Sequence, residues 1–285
     1  MSVTGAAPRT AEVSVATSRR GRPAGFGHLL LAEWTKLRSV RSTPWSLIIF
    51  VLASIGLTAL FCWLTVHAIQ SGRAPRRSAD LVADPVDFIL GTGLGLGQLA
   101  ICVLGALTMT TEYSTGVIRA SLLAVPKRVP VLVAKCVVFA ALVLVLAEIV
   151  AFGSFFLGRS VVHPLVSVSL SQPGVARAVI GAGLYLTVLG LFSLAIGALI
   201  RHTGGAIAIV IALVLVAPGL LSLLDSYTWG AHIHAWFPIV AGEYITAAQQ
   251  QTDQLLSPWQ GFGVFCGWTA LLLIAGGYVL RRRDA

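Results

Sequence analysis

Few side chains in this chain could do chemistry. Glu148 is the one acid deep inside a long apolar run, and an ionisable group there is costly and often tied to function. It could carry a proton or line a substrate path; it could equally satisfy a polar group on a neighbouring helix. His232 and His234 form an H-x-H pair for which Glu243 is the one candidate third ligand considered, so a transition-metal site is not expected. Cys62, Cys102, Cys136 and Cys266 all fall inside apolar runs without a C-x-x-C pair. They read as small packing residues rather than a disulfide framework or a zinc site. No G-x-S-x-G, H-E-x-x-H or G-x-x-x-x-G-K-[ST] pattern occurs, and each of those is a minimum for its chemistry. The chain is therefore expected to hold no catalytic site, cofactor or metal. If ATP drives it, another chain binds the nucleotide.

The stretch richest in usable groups is 110–128, TTEYSTGVIRASLLAVPKR. It is a polar and basic island between two apolar runs, and it is longer than a turn. Ser114 or Thr115 can cap a helix starting near Gly116. Ile118, Leu122 and Val125 then fall at i, i+4 and i+7, a single apolar stripe. Pro126 ends that helix, and Lys127 and Arg128 anchor the next run at the membrane surface. A short amphipathic helix over about 113–125 can dock in a groove on a partner or lie flat on lipid.

The elements that must position this island are membrane spans. Of the 285 residues 56% are hydrophobic and 11% charged, and mean hydropathy is +0.87. Soluble domains carry about 25% charged residues. Six apolar runs, 45–66, 88–108, 131–157, 179–200, 204–224 and 259–280, each reach the ~20 residues that a bilayer-spanning helix needs. The net charge of +9 does not point to nucleic acid, because the basic residues flank apolar runs as topology determinants do. With both termini in the cytosol, all but five of the 20 Lys and Arg are on the inner side. The outer five are Arg73, Arg76, Arg77, Arg159 and Arg177. The positive-inside rule thus predicts a multi-pass plasma-membrane protein with cytoplasmic termini.

Residues 1–25 cannot bury a core and are expected to form a disordered cytosolic tail. The following FGHLLLAEWTKLRSVRS reads as an amphipathic helix over 26–43. Leu30, Trp34 and Leu37 form its stripe, and Glu33, Lys36, Arg38 and Arg41 lie mostly off it. Such a basic helix suits the headgroup region. Between the fifth and sixth runs, 225–258 lacks Lys and Arg but includes WFPIVAGEYITAA, enough for a re-entrant segment or short helices. Gly91, Gly93, Gly95 and Gly97 make two overlapping G-x-x-x-G patterns in the second run, read as a close-packing face.

Two places resemble the membrane subunit of ABC-2 type ABC transporters, closest to actinobacterial permeases. One is Glu33-Trp34-Thr35-Lys36-Leu37-Arg38-Ser39 with Arg41-Ser42-Thr43. The other is Glu112-Tyr113, then Gly116, Arg119, Leu123, Pro126, Arg128 and Lys135. The resemblance covers nearly the whole chain after residue 25; Val117 departs from the Thr found in many members. It implies that 113–125 is a coupling helix seated in a cleft of a P-loop ABC ATPase subunit, and that 26–43 is an interfacial connecting helix. It also implies a second permease copy, identical or different, with ATP and magnesium bound by the ATPases. In that reading Glu112 and Arg119 orient the coupling helix, and Ile118, Leu122 and Leu123 contact the ATPase or pack the helix to the bundle. Family members export drugs, peptides, lipids and polysaccharides.

These readings converge on an all-α, six-span permease of an ATP-driven exporter for a lipophilic or amphipathic substrate. The alternatives are a secondary transporter using Glu148 and an immunity or resistance membrane protein.

Overall fold

The computed structural model describes residues 25–39, 42–73, 77–116, 128–250 and 254–282, and these are helical with no strand among them. The elements are α1 (Phe26–Ser39), α2 (Ser42–Gln70), α3 (Arg77–Ala83), α4 (Pro85–Ser114), α5 (Arg128–Val162), α6 (Val175–Ile200) and α7 (Thr203–Ile211). A π-helical turn, Ala212–Val216, then joins α7 to α8 (Ala217–Ser222). The short α9 (Thr228–Trp236) and α10 (Pro238–Glu243), and a 3₁₀ turn Tyr244–Thr246, precede α11 (Pro258–Arg282).

Five helical stretches are long and apolar enough to cross a bilayer, and α4 supplies a sixth if its two halves count as one span. The expected six-run layout is therefore present, with short helices between the fifth and sixth runs. The second run differs from the straight helix its hydropathy suggests. It bends by 42° between Pro85–Gly95 and Gly97–Ser114, at a place where Gly93, Gly95 and Gly97 offer no Cβ to stiffen the turn. The fifth run is interrupted too. Pro218 has no N–H to donate and its ring crowds the carbonyl four residues back, and the chain widens into the π turn just before it.

The hub is α6. Its apolar stretch is 78% buried inside the bundle, against 17–33% for the other four spans. It packs on α4, α5 and α11, with Phe139, Phe155 and Phe265 fully buried around it. Five of the buried hydroxyls find their partner within their own helix. Thr58, Thr110, Thr187, Ser193 and Thr269 each donate to the carbonyl four residues back, which satisfies them inside an apolar bundle.

The two overlapping glycine patterns split between two tasks. A Cβ on Gly93 would collide with Thr58 of α2, and one on Gly97 with Ser54, so this pair packs helices as expected. A Cβ on Gly91 or Gly95 would meet nothing within 4 Å. That half of the pattern faces open space, not a helix.

Candidate functional site

At one end of the bundle, here the α1 end, four charged side chains form a single cluster. Lys135 of α5 donates from Nζ to Glu33 Oε2 at 2.6 Å and to Glu112 Oε1 at 2.8 Å. Lys36 donates to Glu33 Oε1 at 2.7 Å and to Glu112 Oε1 at 3.1 Å. Glu33 and Lys36 sit three apart on α1, so one helical turn places them side by side. Glu112 comes from the last turn of α4 and Lys135 from the third turn of α5. The cluster thus ties three helices that lie up to 102 residues apart in sequence.

Burial makes this cluster more than a surface network. Glu33 is 4% and Lys135 5% exposed, and buried charges are tolerated only when paired. Burial pushes the Glu33 carboxyl up, but Lys135 and Lys36 outweigh it and hold it below its ordinary value of 4.5. Burial lowers Lys36, but the hydrogen bond to Glu33 and the charge of Glu112 raise it above 10.5. The depressed acid contributes stability above pH 4.5 that is lost as pH falls through its folded value. The raised amine contributes below pH 10.5 and loses that contribution as pH climbs through its folded value. The cluster therefore holds across the neutral range, and in circular dichroism or fluorescence α1 should loosen only below about pH 4.5 and far into alkali.

Periodicity puts Glu33 off the Leu30–Trp34–Leu37 stripe, and in the structure it turns into the bundle. The apolar residues Phe26, Leu31 and Trp34 are the exposed ones, Trp34 at 46%. In lipid that arrangement is consistent, because hydrocarbon and headgroups accept Trp and Leu while the paired charges are kept from them. Arg38 is exposed, and Arg41 lies outside the described residues.

Beside the cluster, α4 ends. The Thr115 N–H donates to Thr111, and Gly116 adopts φ +70, a left-handed conformation that glycine enters without steric cost. The Arg201 guanidinium lies 4.9 Å from the centre of the Tyr113 ring and donates to the Val279 carbonyl at 3.3 Å. Arg201 itself has φ 58 and closes α6 by donating its N–H to Gly197. Tyr113 and Arg201 thus link the ends of α4, α6 and α11. The rest of the anticipated coupling helix, including Ile118, Arg119, Leu122, Leu123 and Pro126, lies outside the described residues. Arg128 starts α5, with its side chain undescribed.

The opposite end holds a second polar set that local sequence patterns miss. Tyr185 of α6, 2% exposed, places its hydroxyl 3.0 Å from Gln98 Oε1 and 3.3 Å from Glu243 Oε1. The signal available in sequence was Gln98, an amide inside the apolar second run. A cavity of about 340 Å³ opens over this trio, walled by Asp84, which caps α4, by Asp87, Gly91 and Gly95 of α4, and by the Val240–Ala247 segment. Arg177 fixes that wall to α6 by donating to the carbonyls of Ala247 and Ala248, both at 2.9 Å. Burial, then the nearby Asp87 charge, push the Glu243 carboxyl up to about 7, against a lowering by its Tyr185 hydrogen bond.

A raised acid has a signed consequence. Folded Glu243 holds its proton more tightly than the unfolded chain does, so stability falls as pH rises from 4.5 to 7 and is level beyond. Glu243→Gln should therefore unfold at higher temperature than the parent above pH 7, by the equivalent of ~2–3 kcal/mol. The two should converge near pH 4.5. Equal stability at both pH values would contradict the buried placement.

Glu148 sits half-buried in α5 against Gly183 of α6, where a Cβ on the glycine would strike its carboxyl. Its Oε2 is buried without a hydrogen-bond partner. The H-x-H pair does not converge. His234 Nδ1 instead bonds Asp225 at 2.9 Å, and no group of His, Cys, Asp and Glu among the described residues could hold a metal ion. Compared with protein-family models and with curated proteins, the chain finds no match.

Proposed function

We propose that this multi-pass membrane protein is the permease subunit of an ATP-driven exporter, energised in trans by a separate P-loop ATPase through the α4–α5 connection. The observation that carries the reading is the four-charge cluster. It joins Glu33 and Lys36 from one of the two stretches resembling ABC-2 permeases to Glu112 and Lys135 from the other. A load applied to the connection after Gly116 would reach α4 directly, and α1 and α5 through paired charges that cannot separate cheaply. The excess of basic residues in the segments read as inner supports a cytosolic position for this end, where an ATPase is available. A second copy, identical or related, completes the path, and the substrate is lipophilic or amphipathic.

The test is substitution within the connection. Leu122→Glu or Arg119→Glu should abolish co-purification of an ATPase from native membranes and lower efflux of an amphipathic dye at least tenfold. If both quantities keep their parent values in both variants, the coupling assignment fails.

One observation favours a second reading. The unpartnered Glu148 oxygen inside α5 suits a proton-coupled carrier. That reading requires transport by the purified chain without any ATPase, abolished by Glu148→Gln.

A further inference from the structure

Helices α5 and α11 both pack on α6 and touch one another more lightly. At the α1 end of the bundle a groove of about 500 Å³ lies between them. Two small residues open it. Gly277 of α11 faces Leu132 of α5, where a Cβ on the glycine would stand an ordinary 3.7 Å from Leu132 Cδ2. Cys136 adds only a thiol, one turn further along α5. Larger apolar side chains form the rims, Val133 and Val137 on one side and Ile274, 71% exposed, on the other. Val129 to Val137 and Leu273 to Arg281 each run along one wall for ~12 Å by helical rise. That covers most of the ~15 Å that one leaflet contributes to a bilayer's hydrocarbon core.

The groove is apolar along its length and cationic at its mouth. Arg281, in the last turn of α11, is exposed and pairs with no acid among the described residues. Glu33 and Glu112, the described acids at this end, are already held by Lys36 and Lys135. In sequence, Lys127 and Arg128 precede Val129, and Arg282 and Arg283 follow Arg281, with Asp284 as the one acid among them. A soluble anion would answer the charge and leave the apolar slot empty. A neutral hydrocarbon would fill the slot and leave the guanidinium unmatched. An anionic phospholipid does both, because its acyl chain fits the slot and its phosphate can accept two N–H bonds from the guanidinium fork. Basic pockets between spans hold anionic headgroups in this way. The groove of about 620 Å³ between α6, α7, α9 and α11 is the contrast. Its lining, including Phe192, Leu213 and Trp236, is apolar throughout and has nothing with which to choose a headgroup.

We propose that the α5–α11 groove holds one anionic phospholipid of the leaflet at the α1 end, an acyl chain lying along Leu132, Cys136 and Gly277 and the phosphate on Arg281. The site is internal to one chain and does not depend on the ATP-driven reading. It stands if no ATPase is ever found, and it can fail while that reading holds.

The test is native mass spectrometry of the full chain in detergent micelles, titrated with palmitoyl-oleoyl phosphatidylglycerol, with its phosphatidylcholine counterpart and with glycerol 3-phosphate. Phosphatidylglycerol should bind saturably and about fivefold or more tightly than phosphatidylcholine. Glycerol 3-phosphate, which has the headgroup charge without the chains, should not displace it at matched concentration. Arg281→Gln should weaken phosphatidylglycerol about fivefold and leave phosphatidylcholine unchanged. Gly277→Leu fills the groove but keeps every charge, so it should weaken both lipids, a loss that general attraction to a basic surface cannot produce. Gly267→Leu, on the same helix, outside the groove and with nothing within 4 Å of its Cβ, should bind like the parent. Arg281 is exposed, so its variant should fold like the parent and keeps the test decisive even where Gly277→Leu is destabilised. Equal affinity for the two lipids, displacement by glycerol 3-phosphate, or parent affinity in Arg281→Gln would overturn the assignment. So would a Gly277→Leu variant that loses self-association while its lipid binding stays intact, because the groove would then be an interface between copies.

Discussion

Lys135→Met should destabilise the folded protein by about 3–5 kcal/mol, the usual consequence of removing one partner from a buried ion pair. Lys135 donates to both acids of the cluster and is only 5% exposed. Without it, Glu33 Oε2 loses its only charged donor among the described residues, at a side chain that is almost fully buried. Lys36 cannot replace it, because it already bonds Oε1 of both acids and its side chain is 34% exposed. Lys36→Met should accordingly cost far less, ~1 kcal/mol. The cost of Lys135→Met should also be recoverable. Adding Glu33→Gln and Glu112→Gln removes the stranded charges, and a set of neutral groups can be nearly as stable as the buried ions it replaces. Denaturant titration in nanodiscs measures all three. Lys135→Met unfolding like the parent, or the triple variant being no better than the single, would mean that the cluster is not buried as described.

Gly105→Ala should cost about 1–3 kcal/mol, and Gly105→Val more, by overpacking a close crossing of α4 and α6. A Cβ there would run into the Gly190 carbonyl of α6 and come within 2.9 Å of Ser193 Cβ. A side-chain tip could swing aside, but backbone cannot, so α4 and α6 would have to separate. Helices inside a membrane associate largely through such close packing. Gly91→Ala on the same helix is the control. Nothing lies within 4 Å of the new Cβ, and loss of glycine's unfolded-state freedom should leave stability unchanged or raised by ~0.5 kcal/mol. Similar losses for both would show a general need for glycine in α4 and not a specific contact with α6.

The contrast between those glycines shows where the sequence was legible. Hydropathy integrates over a whole run and located every apolar stretch, including the short helices between the fifth and sixth. It could not place the bend in α4, because a single hinge among four glycines barely changes an average. Nor does the G-x-x-x-G spacing say which pair meets a neighbour, since both pairs satisfy it. The charge cluster was half legible. Glu33, Lys36, Glu112 and Lys135 stood out by type and by their resemblance to known motifs, but helical periodicity says only that Glu33 lies off the apolar stripe, not that it turns into the bundle. A carboxylate turns inward only if a cation waits there, and Lys135 is 102 residues away. The Gln98–Tyr185–Glu243 set was not legible, because each member is a lone polar residue in apolar surroundings and only the packing of α4, α6 and α10 joins them.

On the proposed reading, energy enters this chain from a separate ATPase at the connection between α4 and α5. The most direct measurement places a photo-crosslinking p-benzoylphenylalanine at position 122 in the full chain in its native membrane, followed by mass spectrometry of the adduct. A P-loop ATPase is expected as the main adduct, with a yield that changes when ATP is added. Adducts confined to lipid or to other copies of this chain, while transport continues, would contradict it.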